Sequence, residues 1–88
     1  MSNILLQAIE TYGKQSQCNV AIEEMSELTK EICKNFRGRP NTDHIAEEIA
    51  DVKIMLQQLE LIFDCTDKVI SYQDYKLRRL EERLKNNG

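Results

Sequence analysis

Helix-breaking residues are scarce in this chain, and those present fall where turns would be expected. Proline occurs once, at Pro40, and glycine three times, at Gly13, Gly38 and Gly88. Because these two residues most disfavour a helix interior, the intervals between them favour long helices joined by short loops. Apolar residues recur in the intervals at three- and four-residue spacing, as they do on one face of a helix. The predicted fold is all-α, with helices at about 2–12, 16–36, 43–63 and 67–85.

The second and third predicted helices carry the apolar residues that would form a core. The inner stripe expected on the second helix consists of Val20, Ala21, Met25, Leu28, Ile32 and Phe36. The third helix is apolar around most of its girth, which indicates burial on more than one side, by its own chain or by another subunit. A loop of roughly six residues predicts that the two helices are antiparallel neighbours. We expect one domain over residues 1–88, a four-helix-bundle subunit completed by oligomerisation.

Charge and cysteine content narrow the class of protein. The chain has 12 basic and 15 acidic residues, a net charge of −3, which argues against a nucleic-acid polymer as partner. Cys18, Cys33 and Cys65 are too widely spaced for a zinc site or a disulfide framework, so we expect reduced, mostly buried thiols in a cytoplasmic protein. The N-terminal segment lacks the features of a signal peptide, and no stretch reaches the ~18 apolar residues that cross a membrane.

Two acidic pairs, Glu24 with Glu27 and Glu48 with Asp51, indicate a metal site. At i,i+3 spacing, both carboxylates of a pair project from one face of a helix. On a helical wheel Glu24 and Glu48 each border the apolar stripe, so antiparallel packing would direct four carboxylates into one cleft. Charge placed beside a core is costly unless a cation or hydrogen bonds compensate it. Oxygen ligands without histidine or cysteine favour Mg²⁺, with Mn²⁺ as the alternative.

Other polar residues near these pairs have simpler interpretations. Glu23 and Glu47 are expected to face solvent. Because Glu23 lies four residues before Glu27, its alternative role is to support the metal ligands without binding the metal. Glu31 is predicted to be a surface acid. His44, the only histidine, is interpreted as a polar residue near the start of the third helix, with substrate contact as the alternative.

The acidic pattern is similar to the signature of a known family. Glu23-Glu24-x-x-Glu27 followed by Glu48-x-x-Asp51 resembles the all-α nucleoside triphosphate pyrophosphohydrolases, the MazG-like family that also includes dimeric dUTPases and dCTP pyrophosphatases. Gln17, a turn before the first motif, and the basic segment Tyr75-Lys76-Leu77-Arg78-Arg79-Leu80 also look like features of that family. The resemblance covers nearly the whole chain, although the insertions that shape base pockets in some relatives are missing.

The resemblance implies a fold, a reaction and a set of site residues. Metal ligands and catalytic groups fall on Glu24, Glu27, Glu48 and Asp51, with Glu27 as the first choice for the base that activates water. Mg²⁺ would assist attack of water at the α-phosphorus, giving a nucleoside monophosphate and pyrophosphate. The subunit would be a four-helix bundle in a homodimer or a dimer of dimers.

Cations are expected to bind the substrate phosphates beyond the metal. Lys76 and Arg79 rank first, since their i,i+3 spacing matches the basic pair on the family's last helix, and Lys53 ranks next. Lys34 and Arg37 are further candidates. The predicted substrate-binding residues are Gln17, Lys30, Lys53, Lys76 and Arg79. Base preference is left open, because Gln17, Asn19 and Tyr75 are not diagnostic.

Three other classes of protein compete with this interpretation. A non-catalytic oligomerising or regulatory helical module would place its acidic pairs on exposed faces. A carboxylate-bridged di-iron or di-manganese site requires two Glu-x-x-His motifs, which a chain with one histidine cannot supply. A small DNA-binding regulator would need a basic recognition helix, and none is present.

Overall fold

The computed structural model describes the backbone of residues 2–87 and the side chains of residues 4–87. Four helices follow one another: α1 (Ser2–Tyr12), α2 (Lys14–Phe36), α3 (Thr42–Ile62) and α4 (Thr66–Asn87). The described residues form no strand, so the predicted all-α class is confirmed. Helix α2 begins slightly earlier than predicted, α3 is shifted by one residue, and α4 is longer at both ends. Within residues 2–87, no helix combines the length and apolar character needed to span a membrane.

Two glycines end helices in a backbone conformation that other residues adopt only with strain. Gly13, between α1 and α2, has φ of 93°, and Gly38, after α2, has φ of 91°. A Cβ at either position would meet no atom within 4 Å, so glycine is favoured there by the backbone conformation itself. The N–H of Gly38 donates to the carbonyl of Asn35 at 2.9 Å, and that of Arg39 to Lys34 at 3.3 Å. These bonds form the Schellman pattern that closes a helix C-terminus.

The helices share their contacts unequally. Most contacts between helices join α2 and α3, and α1 contacts both of them. Helix α4 contacts only α3 among the described helices, and it has no buried residue. The buried apolar residues are Ile9 on α1, Ala21 on α2 and Met55 on α3, so the core lies where the first three helices meet.

Much of the predicted apolar stripe is exposed in the single chain. On α2 Ala21 is buried, but the expected burial of Met25, Ile32 and Phe36 is wrong, and Phe36 is 83% exposed. On α3 the exposed apolar residues include Ile49, Ile54 and Leu56, and Phe63 at its C-cap is exposed as well. Among the described helices α2 contacts only α1 and α3, so much of its apolar surface is left to solvent.

The chain is extended for its length. Its radius of gyration is 16.2 Å, whereas a compact chain of this length has about 12 Å. Its accessible surface is 7215 Å², against roughly 5,400 Å² for a compact monomer of its mass. The difference, roughly 1,800 Å² on this scaling, is surface that a compact monomer would have buried.

The cysteines are free, as predicted. Cys18 and Cys65 are half-buried. Cys33 is exposed, so the expectation of mostly buried thiols is wrong for this residue.

Candidate metal centre

Three of the four predicted ligands meet at the contact between α2 and α3. Glu24 comes from α2, and Glu48 and Asp51 come from successive turns of α3. One carboxylate oxygen from each residue lies within 4.8 Å of the other two, and all three residues are half-buried. Oxygens sharing an Mg²⁺ lie at most about 4.2 Å apart, twice the metal–oxygen bond length. Small side-chain adjustments would therefore suffice to close these carboxylates on one ion.

Side-chain cations leave this acidic cluster uncompensated. The ion pairs found among residues 4–87 join Lys34 to Glu31 at 3.1 Å and Arg78 to Asp74 at 3.2 Å, and neither involves a member of the cluster. Burial raises the pKa of Glu24 above its ordinary value, and the negative charges of Asp51 and Glu48 raise it further. Hydrogen bonds that protonated Glu24 makes with the same two carboxylates act in the same direction. The cluster therefore favours a proton, or another positive charge, at its centre.

The Oε1 atom of Glu48 is an unsatisfied acceptor within this cluster. It is buried from solvent and has no hydrogen-bond partner. When Glu24 is ionised it has no proton to donate, so the three carboxylates then offer one another only repulsion. A buried acceptor without a partner costs about 1–3 kcal/mol, and more when it carries charge. A divalent cation would satisfy this oxygen, so the donor set fits Mg²⁺ or Mn²⁺.

Glu27, the fourth predicted ligand, lies outside the group of converging oxygens. It is exposed on α2, one turn beyond Glu24. Its place as a ligand or as the base that activates water therefore stays a prediction. Glu23 and Glu47 are exposed, as predicted, and His44 is exposed in the first turn of α3.

The predicted substrate-binding residues fall into two groups. Lys30, Lys53, Lys76 and Arg79 are exposed. The guanidinium carbon of Arg79 lies 5.7 Å from the ring centroid of Tyr75, a cation–π contact one turn apart on α4. Gln17, by contrast, is only 7% exposed. A substrate role for all five stays a prediction, and for Gln17 it requires access that the single chain does not offer.

Sequence reasoning missed a second polar cluster, next to the loop between α2 and α3. The Nδ2 of Asn41 donates to the carbonyl oxygen of Glu31 at 2.8 Å and to its Oε1 at 2.9 Å. The Nδ2 of Asn35 donates to the Oδ1 of Asn41 at 3.2 Å. The Glu31 side chain is only 12% exposed and pairs with Lys34, so its prediction as a surface acid is wrong.

Asn41 occupies the N-cap position of α3, but its side chain makes no capping hydrogen bond. The hydrogen bonds from Asn41 and Lys34 hold the pKa of Glu31 below its ordinary value. A periodic signal was present in the sequence: Glu31 follows Glu24 by two helical turns, and Asn41 precedes Glu48 by the same interval.

Comparisons of the chain with known protein-family models, with curated proteins and with solved structures found no match.

Proposed function

We propose that this chain is an Mg²⁺-dependent nucleoside triphosphate pyrophosphohydrolase that cleaves the α–β phosphoanhydride of an NTP or dNTP. The observation that carries the proposal is the convergence of Glu24, Glu48 and Asp51, with a buried and unpartnered oxygen on Glu48. The motif resemblance supplies the reaction class, and the cluster supplies the type of site that this class requires. Products would be a nucleoside monophosphate and pyrophosphate.

The carboxylates would act as a cation holder. When bound, a divalent cation supplies charge neutralisation to the triphosphate and activation to the attacking water. Binding would favour the ionised form of Glu24, because the cation supplies the positive charge that a proton would otherwise supply among the three acids. Glu27, exposed beside the cluster, is proposed as the base that accepts a proton from the water.

We further propose that α2 and α3 form the antiparallel centre of a four-helix bundle, and that a second copy of the chain completes it. Glu31 contacts Asn41 near the loop, while Glu24 lies near Glu48 and Asp51 further along both helices, which supports the antiparallel order. The excess surface supports association, since roughly 1,800 Å² per chain is enough for a stable homodimer interface. A dimer of dimers would use the same surfaces.

Association would also bring cations to the substrate. Lys76 and Arg79 lie on α4, which contacts α3 and neither α1 nor α2 among the described helices. We propose that α4 of a neighbouring copy directs these side chains at the phosphates of a bound nucleotide. Lys30 and Lys53 lie on the helices that supply the acids and would approach the phosphates from the same chain.

A second candidate is a non-catalytic oligomerising or regulatory module. The exposed apolar residues of α4 favour it, since an interaction surface alone would explain them. It leaves the three converging carboxylates unexplained.

The test is a panel of canonical and modified NTPs and dNTPs incubated with the full chain and Mg²⁺. We expect monophosphate and pyrophosphate in equal amounts, abolished by EDTA and restored by Mg²⁺ or Mn²⁺. In water labelled with ¹⁸O, the label should enter the monophosphate, because attack is proposed at the α-phosphorus. Release of orthophosphate would refute the cleavage position, and turnover of no substrate would favour the module.

A further inference from the structure

Polar residues recur every two helical turns along the seam between α2 and α3. On α2 they are Gln17, Glu24 and Glu31. On the α3 side they form two pairs seven residues apart, Asn41 at the N-cap with Glu48, and Asp51 with Gln58. Seven residues make nearly two full turns, so each series keeps to one side of its helix. Gln17, Asn41 and Gln58 are buried, and the acids among the series are half-buried.

Few apolar side chains of the seam are fully buried. Ala21 and Met55 are the buried apolar side chains that α2 and α3 contribute. Apolar contacts are non-directional, whereas a buried hydrogen bond is lost when the partners move apart, so polar pairs can set the register of packed helices. A slip of one turn between α2 and α3 is about 5.4 Å. Such a slip exceeds the 4.8 Å within which the carboxylates of the cluster lie.

The contact between Asn41 and Glu31 is suited to prevent that slip. The Asn41 amide bonds both the main chain and the side chain of Glu31, at 2.8 and 2.9 Å. A bond to the main-chain carbonyl fixes α2 itself and not merely a flexible side chain. Asn35 holds the amide oxygen of Asn41, and Lys34 holds the Glu31 carboxylate. Asn41 makes these bonds instead of capping α3.

We infer that Asn41 is a positioning residue for the cation site: its hydrogen bonds to Glu31 set the α2–α3 register that brings Glu24 to Glu48 and Asp51. The inference rests on the proposed function, because it assumes that the acidic cluster binds a divalent cation. Asn41 itself lies outside the acidic cluster.

The test measures Mn²⁺ affinity by the electron paramagnetic resonance signal of the free ion. Asn41→Asp keeps the size of the side chain but removes the Nδ2 donor and places an acid opposite Glu31. Its dissociation constant for Mn²⁺ should rise at least tenfold. The control is Ile9→Ala, which removes buried apolar contact on α1 and lowers stability without touching the seam's hydrogen bonds. Its Mn²⁺ affinity should change less than twofold, after correction for the folded fraction measured by circular dichroism.

A double variant separates positioning from general destabilisation. Adding Glu31→Gln to Asn41→Asp restores the side-chain hydrogen bond with its direction exchanged, but not the bond to the main-chain carbonyl, and should recover part of the lost affinity. If Asn41→Asp does not fold, Asn35→Ala removes the donor that orients the Asn41 amide and should weaken Mn²⁺ binding a few-fold. Wild-type affinity in a folded Asn41→Asp or Asn35→Ala variant would overturn the inference alone. A wild-type chain without Mn²⁺ affinity would overturn both this inference and the proposed function.

Discussion

Glu24 on α2 and Asp51 on α3 bring carboxylate oxygens within 4.8 Å of each other, and an oxygen of Glu48 lies within that distance of both. Three acids at this separation cannot all ionise without mutual repulsion, and burial, together with that repulsion, raises the pKa of Glu24 above its ordinary value. The positive charge that relieves it is a proton at low pH and, in our proposal, a divalent cation at neutral pH. Proton and metal should therefore compete for the same place.

The first prediction concerns stability without metal. Because the pKa of Glu24 is higher in the folded chain than its ordinary value of 4.5, the folded state binds more protons than the unfolded state above that pH. The stabilisation due to protonated Glu24 is fully present below the ordinary pKa and is lost as the pH rises through the folded pKa. In EDTA, the free energy of unfolding of wild type, measured with urea, should fall as the pH rises from 4.5 through the folded pKa of Glu24. That of Glu24→Gln should fall less.

Without metal, Glu24→Gln should be the more stable protein at neutral pH, and Mg²⁺ should make wild type the more stable one. Binding to the folded state alone stabilises by about 2.7 kcal/mol when the free ion is at a hundred times its dissociation constant. Wild type should gain this stabilisation and Glu24→Gln should gain less, since it has lost a charged ligand. Identical pH profiles for the two proteins in EDTA would contradict the assignment of the raised pKa to the cluster.

The second prediction separates activity from stability within the cluster. Glu48→Gln and Asp51→Asn should each lower Mg²⁺-dependent pyrophosphate release by on the order of 100-fold or more, because each removes a charge from the cation site. The helical circular-dichroism spectrum should be intact, and stability in EDTA should be equal or higher, since repulsion is relieved. Glu47→Gln is the matched control: Glu47 is exposed beside Glu48, and its change should leave turnover near wild type. Undiminished turnover in both cluster variants would contradict the site.

The third prediction concerns Glu31, whose contribution to stability should change with pH in the opposite direction to that of Glu24. Hydrogen bonds from Asn41 and then Lys34 lower the pKa of Glu31, so its folded pKa lies below the ordinary 4.5. The stability it contributes is present above the ordinary pKa and is lost as the pH falls through the folded pKa. Glu31→Gln should therefore be less stable than wild type near neutral pH, and the gap should narrow under acid conditions. A gap that stays constant with pH would show that the Glu31 charge makes no contribution.

The sequence predicted the helices well and the burial poorly, for a physical reason. Gly13 and Gly38 mark helix ends by their positive φ, which is a local property and therefore readable from the chain. Glu24 and Glu48 border apolar stripes, and that periodicity was enough to predict that α2 and α3 bring them together. Phe36 and Ile32 are predicted to be inside because they are apolar. Burial, however, depends on which other residues pack against a side chain, and the periodicity of one helix does not reveal that.

The Asn41 hydrogen bonds were missed for a different reason. Asparagine before a helix is the usual signal of an N-cap. Capping of α3 was therefore a sufficient explanation of Asn41 from the sequence, although its actual partner, Glu31, lies on the preceding helix. The signal available in the sequence was the polar residue repeated every seven positions beside an apolar stripe. Such a repeat predicts contacts between two packed helices and not contacts within one helix.

The fourth prediction concerns the apolar face of α4, formed by residues such as Val69, Leu77, Leu80 and Leu84. Burying one leucine contributes about 1.5–3 kcal/mol, and a symmetric dimer buries it twice, so Leu80→Glu should raise the dissociation constant by roughly 100-fold or more. The mass measured by light scattering should fall towards the 10.3 kDa of the monomer.

Ser71→Glu provides the matched control for Leu80→Glu. It adds the same charge nine residues earlier on α4, about 180° around the helix from Leu80. The oligomer should survive this change, because the added carboxylate faces away from the apolar residues.

If phosphate-binding cations come from α4 of a neighbouring copy, Leu80→Glu should also lose turnover, in parallel with the fraction of dissociated chain. Mn²⁺ should still bind the acids of α2 and α3. A Leu80→Glu protein that keeps the wild-type mass would exclude this face as the interface, and one that dissociates with full turnover would place all the substrate-binding cations within one chain.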